Sequence, residues 1–106
     1  MSAPTTAFAA LADGTRWNVL VRLGQEPASA SALARELPVS RQAIVKHLEV
    51  LASAGLVVSC RSGREVVHVA VGERLSALGR DLERIGRGWE GRLKALKEAA
   101  EEHRPA

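Results

Sequence analysis

From Ser29 to Val71 the apolar positions first recur at helical spacing, break at Pro38, resume at helical spacing and then alternate. Leu33, Ala34 and Leu37 give a short helix its apolar face. Pro38 cannot continue that helix, and Ser40 is a favoured N-cap for the next. From Ser40 onward, Ile44, Leu48 and Leu51 recur at i, i+4 and i+7 and predict a buried stripe, while Arg41, Gln42, Val45, Lys46 and Glu49 lie off it. Gly55 ends the helix as a residue suited to the left-handed conformation. Alternation then places Leu56, Val58 and Cys60 on one strand face and Val57, Ser59 and Arg61 on the other, with Val67, Val69 and Val71 sharing a face of a second strand. The turn is read at Ser62-Gly63, flanked by Arg61 and Arg64.

On either side lie further helical patterns. Phe8, Leu11 and Ala12 predict a short opening helix, and Asp13 caps a second one carrying Trp17, Leu20, Val21 and Leu23, ending near Gly24 before Pro27. Leu75, Leu78, Leu82, Ile85, Trp89, Leu93 and Leu96 follow at spacings of 3, 4, 3, 4, 4 and 3, a heptad-like seam with one stutter at Trp89. Such a seam predicts a partner helix. Gly79, Gly86, Gly88 and Gly91 are poor helix residues, which points to close helix approach or a kink between Gly86 and Gly91.

The pattern is therefore mainly α with a β-hairpin wing: a winged helix-turn-helix, dimeric through its terminal helices. All 106 residues form one domain, with a core at 5–71, the wing at 56–71 and a C-terminal dimerisation helix at 73–102. A second helix of this kind presents its N-terminal residues to base edges in the major groove. The expected DNA-facing set is Ser40, Arg41, Gln42, Val45, Lys46 and His47, with Arg61, Ser62 and Arg64 from the wing. Within it, Arg41 and Gln42 set base preference, while Arg61 and Arg64 meet phosphates. The expected dimer interface is Phe8, Leu75, Leu78, Leu82, Ile85, Trp89, Leu93 and Leu96.

Charge adds little by itself. The net charge is +3, but residues 1–55, 56–71 and 72–106 each net +1, so the argument for double-stranded DNA rests on where the arginines and lysines stand. A chain with one cysteine forms no internal disulfide and holds no Cys/His cluster, and no metal or cofactor is expected. Cys60 beside Val58 is read as a small apolar residue ahead of a redox switch. His47 is read ahead of any metal role as a packing or hydrogen-bonding residue, and His68 as an ordinary strand side chain. No apolar run approaches membrane length and no charged-then-apolar leader opens the chain, so no membrane partner is expected and the placement is cytoplasmic. No Ser/His/Asp order, glycine-rich phosphate loop or paired-carboxylate site is present, which argues against an enzyme. The competing class is a winged-helix protein-interaction module, against which the basic wing tip and exposed Arg41, Gln42 and Lys46 weigh.

Four motifs stand in order: L-A-D-x-T-R at Leu11–Arg16, S-x-x-x-[VI]-x-x-H-L at Ser40–Leu48, A-G-L-V at Ala54–Val57, and G-R at Gly63–Arg64. In this arrangement the chain resembles the ArsR/SmtB family of bacterial transcriptional repressors over residues 8–71. The resemblance implies a homodimer held by its first and last helices, seated on an inverted-repeat operator and released by an inducer. Metal-sensing members carry a cysteine box in the helix before the turn, whereas Ser29–Leu37 has no Cys, His or Asp. A second family metal site uses Asp-x-His on the last helix; here Asp81 is followed by Leu82 and Glu83, and the next histidine is His103. The implied signal is a small organic inducer near Trp17 and Trp89, or control through expression level alone.

Overall fold

The computed structural model describes residues 4–102, so His103 lies outside the described residues. In chain order the elements are α1 (Pro4–Ala10), α2 (Gly14–Leu23), β1 (Ala28–Ser29), α3 (Ala30–Glu36), α4 (Arg41–Ser53), β2 (Val57–Ser62), β3 (Glu65–Ala70) and α5 (Gly72–Glu102). Three of the helices begin on side-chain caps. Asp13 Oδ1 accepts from the Arg16 N–H at 3.0 Å, Ser29 Oγ from Ala32 at 3.1 Å and Ser40 Oγ from Ala43 at 3.2 Å. Each bond satisfies one of the four N–H groups that a helix start leaves free.

The L-A-D-x-T-R motif has a local explanation in these bonds. Asp13 caps α2, and the Arg16 side chain reaches back from α2 so that its Nε donates to the Ala10 carbonyl at 2.6 Å, closing the end of α1. The N–H of Arg16 holds the Asp13 carboxyl below its ordinary value, with the charges of Arg16 and His47 adding to the effect. One motif thus joins two helices.

The core lies around α4, which packs on α1, α2, α3 and β2. Ile44, Leu48 and Leu51 are buried as their spacing predicts, together with Val19, Leu20, Leu23, Leu33, Leu56 and Val57. Burying a side chain of this size contributes about 1.5–3 kcal/mol. Past α4, Gly55 takes φ +77°, a conformation that favours glycine, and the chain turns into β2. The Arg74 guanidinium covers this exit, donating to the Ala54 carbonyl at 3.4 Å.

The sheet departs from the expected hairpin in three respects. Its order is β1-β3-β2, antiparallel throughout, because Ala28 and Ser29 pair with His68 and Val67. Two residues cannot display a period, so β1 leaves no sequence signal. Secondly, Ser62 pairs with Glu65, so the two-residue turn is Gly63-Arg64 rather than Ser62-Gly63. Gly63 has φ +64° and Arg64 no positive φ, as a type II′ hairpin turn requires, and Arg64 sits in the tip itself. Thirdly, the face carrying Val58, Cys60, Val67 and Val69 is not covered as a core face would be. Val58 is 54% exposed and Cys60 is exposed.

Two compact units divide after Leu75. The second consists of α5 beyond its first turn. This helix runs without interruption through Gly79, Gly86, Gly88 and Gly91, and a Cβ added at any of the four would meet nothing within 4 Å. Among the described residues, no close approach therefore accounts for them. Along the predicted seam, Leu78 is buried and Leu75 half-buried, but Leu82, Ile85, Trp89, Leu93 and Leu96 are between 46% and 67% exposed. No helix among the described residues is long and apolar enough to cross a membrane.

Arg22 ties α2 to α3 by bonding the Glu36 carboxylate, and it also meets Glu26. The bond from Arg22 lowers the Glu36 pKa from its ordinary 4.5. A carboxylate whose pKa is lower folded than unfolded stabilises the fold above pH 4.5, and loses that contribution as the pH falls through the folded value. Urea titration of the wild type and of Glu36→Gln should therefore show a gap in midpoint above pH 4.5 that closes on acidification. A gap independent of pH would contradict the assignment.

Candidate nucleic-acid interface

The turn between α3 and α4 sets the geometry of this surface. Leu37 leaves the helix in extended conformation at φ −110°, ψ 147°, Pro38 follows, and the Val39 N–H donates to the Leu37 carbonyl at 2.8 Å. Ser40 then starts α4. Because Ile44, Leu48 and Leu51 are held in the core, Arg41, Gln42, Val45, Lys46 and Glu49 line one outward surface of the helix. Val45 is half-buried along its edge, and Ser40 spends its hydroxyl on the cap.

Two hollows separate α4 from the wing. One, of about 330 Å³, lies between the start of α3, the first turns of α4 and β3, with Ser31, Arg41, Val45, Arg64, Glu65 and His68 on its walls. The other, of about 250 Å³, is bounded by Val45, Leu48, Glu49, Ala52, Ser59 and His68. His68 borders both, and partial burial lowers its pKa by disfavouring the charged imidazole. The sequence marked it only as a strand residue off the valine face; the register that turns it toward α4 comes from its pairing with Ser59 and Ala28.

Arg41 is anchored rather than free. Its Nε donates to Ser31 Oγ at 3.1 Å, a contact ten residues back in the chain that no spacing rule would have suggested. Arg61, Ser62 and Arg64 are exposed at the wing tip. Among the described residues, Lys46, Arg61 and Arg64 enter no ion pair, whereas Arg22, Arg84 and Arg87 do. His47 stands apart from the hollows, half-buried and close enough to Asp13 for its charge to act on that carboxyl. Among the described residues no group of three or more His, Cys, Asp and Glu could hold a metal ion.

A helix-turn-helix domain model matches residues 11–60. The structure is similar to that of an ArsR-like transcriptional regulator from Rhodococcus sp. RHA1, with 52% identity, a TM-score of 0.82 and coverage of 92% of each chain. The chain belongs to the ArsR-like family of transcriptional regulators. This regulator is also 44% identical over 82 residues to an HTH-type transcriptional regulator of Mycobacterium tuberculosis, which spans 77% of either chain. A solution structure from Mycobacterium bovis, described as a homodimeric winged helix-turn-helix DNA-binding domain of a possible ArsR-family regulator, matches at 25% identity and a TM-score of 0.65. It covers 78% of this chain and is covered over 77% of its own. The fold is thus a winged helix-turn-helix, and its family consists of DNA-binding regulators rather than enzymes.

The cap on α4 yields a test. Ser40→Ala should cost about 0.5–2 kcal/mol in urea denaturation, because the Ala43 N–H loses its partner. Substitution with asparagine, another good cap, should restore most of it.

Proposed function

We propose that this regulator is a repressor that binds an inverted-repeat operator in double-stranded DNA as a homodimer, in the cytoplasm, and is released by a small organic inducer rather than a metal. One observation carries the DNA part: the outward surface of α4 and the wing tip bring Arg41, Lys46, Arg61 and Arg64 to the side left open by core packing. In the proposed complex, Ser40, Arg41, Gln42, Val45 and Lys46 enter or flank the major groove, and Arg61, Ser62 and Arg64 meet the backbone beside it.

The dimer is supported by α5. Five large apolar side chains stand exposed from Leu82 to Leu96 at heptad-like spacing, more than a lone helix surface ordinarily carries. The Mycobacterium bovis relative is described as homodimeric. In a two-fold dimer the same stripe meets itself, and the reading helices address half-sites about 34 Å apart. An inducer that changed the angle between the two heads would lose that match.

Two measurements test the reading. Binding to a duplex from the DNA upstream of its own gene should weaken steeply with salt, since each neutralised phosphate contributes a slope of about 0.9 in log K against log salt. Salt-independent binding, or none, would favour a protein-interaction module. Sedimentation should give a dimer for the wild type and a monomer for Leu82→Asp with Ile85→Asp, and a folded wild-type monomer at micromolar concentration would contradict the assembly.

A further inference from the structure

The placement of Arg41 has a consequence for how DNA would be read. Its first-turn position invites a base-reading role, because a guanidinium can make two bonds to guanine. Yet Arg41 leans toward α3, where Ser31 Oγ takes its Nε–H at 3.1 Å. The remaining four N–H donors of the guanidinium stay available. They belong to a side chain on the wall of the 330 Å³ hollow that also includes Arg64 of the wing tip. Two guanidinium groups and one carboxylate, Glu65, border that hollow, and His68 is held toward its neutral form there. The balance is one positive charge, flanked by serine hydroxyls.

We propose that Ser31, Arg41 and Arg64 form a binding station for one backbone phosphodiester, bridging α3, α4 and the wing, and that base discrimination belongs instead to Gln42, Lys46 and Glu49. The inference rests on the DNA-binding reading above and deepens it. In a helix-turn-helix, the first helix of the pair crosses the DNA backbone while the second enters the groove. A guanidinium pinned to the start of the first helix therefore stands beside the backbone, and its fork matches phosphate oxygens in paired geometry. Arg64 closes the station from the opposite side, which fixes how far the wing lies from the reading helix on DNA. Gln42, Lys46 and Glu49 remain on the outward surface of α4, where glutamine suits adenine, lysine suits guanine and glutamate accepts from the cytosine amino group.

The test uses the full chain. A preferred duplex is first selected by the wild type from a random-sequence pool, and binding is then followed by fluorescence anisotropy over a salt series on that duplex, on a scrambled one and on single-base-pair variants. Arg41→Ala should weaken binding to the preferred and scrambled duplexes by the same factor, lower the salt slope by about 0.9 and leave the base-preference profile unchanged. Ser31→Ala should weaken both duplexes by a smaller common factor, and add nothing in the Arg41→Ala background. Gln42→Ala should flatten preference at one base pair without changing the slope. Thermal melting of each variant confirms that the fold is retained. If Arg41→Ala flattened preference at a base pair while sparing the scrambled duplex, the station would be overturned and the DNA reading would stand. If the pool yielded no preferred sequence, yet Arg41→Ala still lowered the slope, sequence-specific regulation would fail and the station would stand.

Discussion

Burial of one stripe of α4 governs the rest of this molecule. Ile44, Leu48 and Leu51 are held between α1, α2, α3 and β2, and the rotation of the helix about its axis follows from that burial. A turn of α4 by one residue would move its surface by about 100°, exposing Ile44 and driving Glu49 or His47, according to the sense of the turn, into the core. Because transferring a side chain of that size into water costs about 1.5–3 kcal/mol, the outward surface is determined by the inward one. The composition of that outward surface can therefore vary while the fold persists.

The three helix caps and the Arg16 bond to Ala10 serve the same end by fixing where each helix begins. Arg22 and Glu36 add a tie between α2 and α3 at the surface, where salt and solvent weaken its effect. Among the described residues, Lys46 on α4 and Arg61 and Arg64 at the wing tip enter no ion pair. The second unit, from Ser76 onward, carries an apolar stripe. Among the described residues, its large apolar side chains from Leu82 to Leu96 are exposed, and a Cβ added at Gly79, Gly86, Gly88 or Gly91 would meet nothing within 4 Å.

Much of the fold was legible in the sequence because it depends on local rules. The stripe at Ile44, Leu48 and Leu51, the caps at Asp13 and Ser40, the break at Pro38 and the positive φ of Gly55 each follow from spacing or from a single residue type. What escaped depends on pairing between distant segments. The strand at Ala28–Ser29 is too short to alternate, the hairpin register shifted by one residue brings Arg64 into the turn, and the Val58–Cys60 face has no cover that alternation alone could reveal. The same holds for the interface. Residue types on α4 and the wing marked a basic surface, but the bond from Arg41 to Ser31 and the turning of His68 toward α4 arise only when three elements meet.

If α4 and the wing tip together bind DNA, a bound duplex should cover both at once. Amide hydrogen exchange of the wild-type protein, with and without a bound duplex, tests it most directly, since it reports every segment in one measurement. Added protection is expected to concentrate in residues 40–49 and 61–66, with little change on the outer face of the wing at Val58 and Cys60. Protection confined to α5, or to that outer face with α4 unaffected, would contradict it.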